Sequence, residues 1–325
     1  MTASIKAGLR AAARHPAITG LLWAWFGLLA LVPALPAWTW WNGVLGYSPE
    51  ASSVLTRFDL GVFLDVTAGK GISGMGLLAG AAAAVGAIAV VSSAFAFGGI
   101  LEVFGSEDDR RPFMHRFFRG GGHFFWRYVR LAVMAGVSVI LATGAVSGLM
   151  TAATAPMRES EWEPAGYLAG LANVTVLALV AAFFLLALDY ARIRVSRDDS
   201  RSMLKAYASG LGFVLRRLFT AYGLAIAILV LEAALLLGYV AYETNAAAAG
   251  TWGAIATLFL IQQVVVAGRV FLRVALVGAE RHYWAAALPA PQPAAAPASP
   301  DEAVAAPTVP DSPVPAGPEE ERIPT

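Results

Sequence analysis

The chain contains no cysteine and little charge: 14% of its residues are Asp, Glu, Lys or Arg, against 58% hydrophobic. Without a thiol there is no disulfide, no thiolate nucleophile, no Cys-ligated zinc and no iron–sulfur cluster. The charge deficit is as informative, because soluble domains carry about 25% charged residues. A P-loop, a Gly-x-Ser-x-Gly elbow, an H-E-x-x-H or H-x-x-x-H pair and paired acids at helical metal spacing are also missing. The four histidines, His15, His115, His123 and His282, are scattered among aromatics. No metal, cofactor or catalytic residue is therefore expected. The alternating segments of about ten residues that barrel strands need are absent too.

What the sequence does have is long apolar runs, at about residues 17–41, 73–104, 128–151, 167–188, 218–242 and 251–278. Each reaches the ~20 residues that cross a hydrocarbon layer of ~30 Å. Lipid offers no partner to unpaired backbone groups, so such segments span as helices. The expectation is an all-α, polytopic membrane protein with six transmembrane helices over residues 1–284. The first run follows a basic start, as a signal peptide would, but it is longer than a 7–15-residue signal core. It also ends in Trp38, Trp40 and Trp41, which suit the headgroup level of a retained span. Cleavage is the alternative. Span two is thick with small residues (Gly74, Gly76, Gly80, Gly86), which predicts a place inside the bundle. Residues 42–73 include SSVLTRFDLGVFLDV, whose apolar residues fall at helical spacing and predict an interfacial or pore-capping helix. From 285 to 325 the composition turns to Ala, Pro, Ser and acid, which predicts a disordered tail able to tether or dock a protein partner.

Basic residues are distributed unevenly. Twenty of the 23 Lys and Arg fall at the N-terminus, in the second and fourth connections, or from the end of span six onward. Only Arg57, Lys70 and Arg158 fall in the other connections. Positive residues in short loops stay in the cytoplasm, so both termini are expected there. The same distribution follows an anionic inner leaflet, and nucleic acid is not needed to explain it.

The two large basic connections resemble each other at a spacing of about 90 residues. With Asp108 on Asp198 and Asp109 on Asp199, Arg111 meets Arg201, His115 meets Lys205, and Phe117 meets Tyr207. Gly120, Gly122 and Arg127 then meet Gly210, Gly212 and Arg217, and Phe124 and Phe125 meet Val214 and Leu215. The N-terminal KAGLRAAARHPAITGLL reads as a third, truncated copy. The unit would be an amphipathic cytoplasmic helix followed by two spans, with such helices before spans three and five. Arg116, Arg119, Arg127, Arg130, Arg216 and Arg217, set among aromatics, are the expected contacts to lipid phosphate. Gly120, Gly121 and Gly122 are expected to break or bend the helix; phosphate cradling by these glycines is the weaker alternative.

The elements GGILE, FFRGGGHFFWRYVRL and LDYARIRV with RDD resemble those of a family of uncharacterised bacterial six-span integral membrane proteins. In that family a GGIL-acid pattern ends span two, an aromatic-arginine band follows, and a DYAR-like element ends span four. The layout is more distantly similar to the membrane domains attached to some glycerophosphodiester phosphodiesterases. The resemblance implies a fold and a bacterial inner-membrane location, and no activity.

Ionisable groups inside spans are costly and default to functional hypotheses. Glu232 lies near the middle of span five and Gln262 and Gln263 lie in span six, where Gln262 is expected roughly level with Glu232, which faces either that amide or a wet cavity. Glu102 and Asp189 end spans two and four, with Arg192, Arg269 and Arg273 available as inner-face partners. Three functions follow. The first is a non-enzymatic scaffold, assembly partner or lipid-interacting protein. The second is a small-solute or ion permease using Glu232 and Gln262. The third is a lipid-headgroup enzyme, which requires Glu102, His115, His123 and Asp189 to converge.

Overall fold

The computed structural model describes residues 1–45, 72–105, 111–158, 162–200, 202–246 and 251–287. The secondary structure of these residues is all helical. In chain order the helices are α1 (Thr2–Arg14), α2 (Pro16–Leu45), α3 (Ile72–Gly105), α4 (Phe113–Ala153), α5 (Ala155–Arg158), α6 (Glu163–Asp198), α7 (Met203–Arg216), α8 (Leu218–Ala246) and α9 (Trp252–Ala287). Six of them, α2, α3, α4, α6, α8 and α9, are long and apolar enough to cross a membrane. The chain is a multi-pass helical membrane protein. The whole of the helix expected within residues 52–66, the pair Asp108 and Asp109, and nearly all of the tail lie outside the described residues.

Close packing is concentrated at one end of the bundle. Buried side chains on α3 begin at Ala94, on α8 stop at Ile228, and on α9 begin at Val265. This closed end holds the N-terminal parts of α2, α4 and α8 and the C-terminal parts of α3, α6 and α9. Small residues bring the helices together there, because dispersion and close backbone approach drive association in lipid. The small residues of span two do otherwise. Gly76, Gly80 and Gly86 face open space, so the interior place expected for that stretch holds only from Ala94 onward.

The threefold repeat is visible as packing. Gly8 on α1, Gly120 on α4 and Gly210 on α7 are each buried, and each is flanked four residues away on both sides by buried side chains. The flanking residues are Ser4 and Ala12, Arg116 and Phe124, and Ala206 and Val214. Each glycine sits where a Cβ would collide with the last helix of the preceding copy. Gly120 meets Gly98 and Glu102 of α3, and Gly210 meets Ala187 and Ala191 of α6. Gly8 meets Ala275 and Ala279 of α9. The first helix thus packs on the last, and Ser4 Oγ lies 3.2 Å from His282 Nδ1 at the same junction.

The helical break expected at the three glycines is not found, since α4 continues from Phe113 to Ala153 without interruption. Gly120 and Gly121 serve close approach instead, Gly121 lying against the Phe95 ring. The breaks come seven residues later in the repeat frame, at His15 (φ −124°) and Arg217 (φ −130°). At His15 the following proline disfavours the helical conformation.

Candidate functional site

The span-end alignment that the glycines impose places Gly98–Phe104, Ala187–Ile193 and Ala275–Arg281 in register. Five positions of this motif are buried in every copy, and two of them carry an acidic or basic residue in at least one copy. One carries Ile100, Asp189 and Val277, and the other carries Val103, Arg192 and Glu280. The first copy is apolar at both. The second and third place an aspartate, an arginine and a glutamate in the same layer, each at most 5% exposed.

The charges in this layer are partly matched. Asp189 accepts hydrogen bonds from Arg192 Nη1 and from Arg273 Nη2, both at 3.3 Å. Arg192 also lies 5.0 Å from the centre of the Phe97 ring and 5.9 Å from that of Tyr128, a cation–π contact on both. Tyr128 donates its hydroxyl to the Arg192 carbonyl at 3.0 Å, tying α4 to α6. Glu280 is within electrostatic reach of Asp189, Arg192 and Arg273, yet neither of its carboxyl oxygens has a hydrogen-bond partner among the described residues. The Tyr190 hydroxyl is likewise unpartnered, while its ring packs with Phe213 and Trp284 at 4.7 and 5.9 Å.

Further along α9, Arg269 Nε donates to Glu232 Oε1 of α8 at 2.7 Å. This corrects the pairing of Glu232 with Gln262. Gly268 packs on Leu235 in the antiparallel α8–α9 pair, which sets the register. Gln262 then falls level with about residue 241, roughly 13 Å from Glu232 at 1.5 Å per residue. Gln262 is exposed and Gln263 half-buried. Gln262, Arg269, Arg273 and Glu280 are spaced by seven, four and seven residues. At 100° per residue they form one polar stripe along α9.

The arginines expected at lipid phosphate divide. Arg119, Arg130, Arg216 and Arg217 are exposed. Arg116 is 7% exposed, which removes it from that set, because it stands one turn before Gly120 on the face that packs against α3. Arg127 pairs with Asp199, whose left-handed backbone (φ 44°) caps α6. The guanidinium beside it holds the Asp199 carboxyl below the usual carboxylate range.

The residues proposed for an enzyme do not converge. A cavity of about 440 Å³ at the closed end is lined by Glu102, Arg197, Arg281 and Trp284 among others, but not by His115, His123 or Asp189. His123 lies beside Asp199 instead, at 3.6 Å, and His115 is exposed. Among the described residues no group of three or more His or acidic side chains could hold a metal ion. No protein-family model, curated protein or solved structure matches the chain.

Glu280 is the residue that sequence reasoning missed. Its signal lay in the span ends, where GGILE, ALDYA and ALVGA put small residues or an acid four apart, and the residue after each is Val103, Arg192 or Glu280.

Proposed function

We propose that the chain is a non-catalytic protein of a bacterial inner membrane that organises or engages anionic lipid, with both termini in the cytoplasm. The observation that carries this reading is a belt repeated around the closed end. At the junction between packing helix and span, the three copies place Arg14 and His15, Trp126 and Arg127, and Arg216 and Arg217. The first residue of each pair is exposed. Arginine and tryptophan are the side chains that suit the headgroup level, the one for phosphate and the other for its amphipathic ring. The distribution of Lys and Arg among the connections supports placing this end at the inner leaflet, as does the resemblance to six-span bacterial proteins.

The belt is tested by reconstitution in bilayers of phosphatidylethanolamine with and without phosphatidylglycerol. The anionic lipid should raise the unfolding midpoint of the wild type, and high salt should reduce the gain. Arg216→Gln with Arg217→Gln should remove about 2 kcal/mol of it, at roughly 1 kcal/mol per arginine near the surface. An unchanged gain in the double variant rules the belt out as the lipid contact.

A second reading, a small-ion or proton permease, is favoured by the polar stripe on α9 and by Glu280, whose carboxyl has no hydrogen-bond partner among the described residues. Glu232→Gln separates the two. As an interhelical clamp that keeps its hydrogen bond, the variant should lose under about 1 kcal/mol of stability and nothing else. Abolished ion flux in vesicles, with stability intact, would make the permease the correct reading.

A further inference from the structure

Between α2, α3 and α4, just inside the belt, lies a second cavity of about 350 Å³. Its walls include Leu21, Trp25, Val91, Phe95, Phe118 and Phe125. The phenylalanines are held as a unit, Phe95 lying 5.7 Å from Phe118 and 6.4 Å from Phe125. Toward the closed end the chain carries basic side chains: Arg14 ends α1 directly before α2, His115 stands one turn before Phe118 on α4 and Arg119 directly after it, and all three are exposed.

The repeat shows that this crevice is a departure from the common plan. Phe118 and Phe125 correspond to Ala208 and Leu215 in one other copy and to Lys6 and Ala13 in the remaining one. Ser92, also in the wall, and its neighbour Ala96 correspond to Arg269 and Arg273 of α9. The gap at α9 takes ion pairs; the gap at α3 is aromatic and uncharged. An apolar slot of this size, with basic side chains on the chain leading into two of its wall helices, complements a molecule that is hydrocarbon along its length and anionic at its end.

We infer that the crevice is a binding site for one phospholipid of the inner leaflet. An acyl chain lies against Trp25, Phe95, Phe118 and Phe125, and its phosphate is met by Arg14, His115 and Arg119. The assignment rests on the lipid reading and gives it a specific ligand position.

The test uses the full chain purified in mild detergent, supplied with equal phosphatidylglycerol and phosphatidylethanolamine, and read by native mass spectrometry. The wild type should retain phosphatidylglycerol in preference to phosphatidylethanolamine. Val91 lines the crevice and is 45% exposed, so Val91→Trp plugs the slot without entering the packed core. Retention in that variant should fall on the order of tenfold, equivalent to about 1.4 kcal/mol. Val91→Ala should keep the lipid, and so should Leu141→Trp, placed on an exposed part of α4 away from the crevice. Equal retention by wild type and Val91→Trp overturns the site, as does equal loss in Leu141→Trp. If the arginine pair of the belt proves necessary for the anionic-lipid gain while Val91→Trp loses nothing, the crevice assignment alone falls. If neither responds, the lipid reading falls with it.

Discussion

Gly120→Ala should destabilise the protein strongly, whereas Gly122→Ala, two residues on in the same helix, should leave it unharmed or slightly more stable. At Gly120 a methyl group would run into the Cβ of Glu102 and the Gly98 carbonyl of α3. Neither is the movable end of a long side chain, so the helices must separate. Overpacking of this kind costs about 1–3 kcal/mol and occasionally more. At Gly122 nothing lies within 4 Å, and the exchange keeps only the gain in helix propensity, up to about 1 kcal/mol. The difference between the two variants, read as unfolding midpoints in one detergent, removes effects common to any Gly→Ala change. Gly210→Ala and Gly8→Ala should behave as Gly120→Ala does, since each meets backbone of the preceding copy's last helix. The result for Gly8 carries most weight. If α1 were a loose N-terminal segment, Gly8→Ala would be silent, and the ring in which the first helix packs on the last would be wrong.

Those glycines also mark how far the sequence could be read. Six spans were legible because hydropathy over about 20 residues needs no knowledge of neighbours. The repeat was legible because Gly120 and Gly210 recur in matching surroundings. Their purpose was misjudged: propensity counts a glycine triplet as a helix breaker, but α4 is held straight by α3 along that stretch, and packing decides. Arg116 was misassigned for a related reason. A band of aromatic and basic residues looks the same on paper whichever face turns inward, and only the position of Gly120 on the α3 contact identifies Arg116 as buried. Glu232 found Arg269 in place of Gln262 because depth counted from span ends fixes height to only a turn or two. The Gly268–Leu235 contact fixes it to the residue. Glu280 escaped because it stands beyond the apolar run that defined span six, yet it is nearly fully buried at 1% exposure.

Asp189→Ile should be among the most damaging single changes on α6, and adding Arg192→Val should reverse much of the damage. Alone, the first leaves the Arg192 guanidinium at 5% exposure without the carboxylate it now meets at 3.3 Å. Removing the hydrogen-bonded partner of a buried charge in this way costs about 3–5 kcal/mol. Arg273 loses the same partner, but its side chain is 64% exposed and can turn away. The double change installs an isoleucine and a valine, the residues that the first copy already carries at these two positions as Ile100 and Val103. Buried ion pairs are often replaceable by apolar residues of similar volume at little cost, because desolvating two charges offsets most of their attraction. Unfolding midpoints of the wild type, both single variants and the double form a complete cycle. A strongly favourable coupling is expected, with the double variant far closer to wild type than the sum of the singles. If Asp189→Ile alone is harmless, Arg192 does not depend on that carboxylate and the polar layer is not what joins α6 to α9. If instead the double variant folds as well as wild type but loses a measurable ion flux, the aspartate and arginine are there for transport, and the lipid reading gives way.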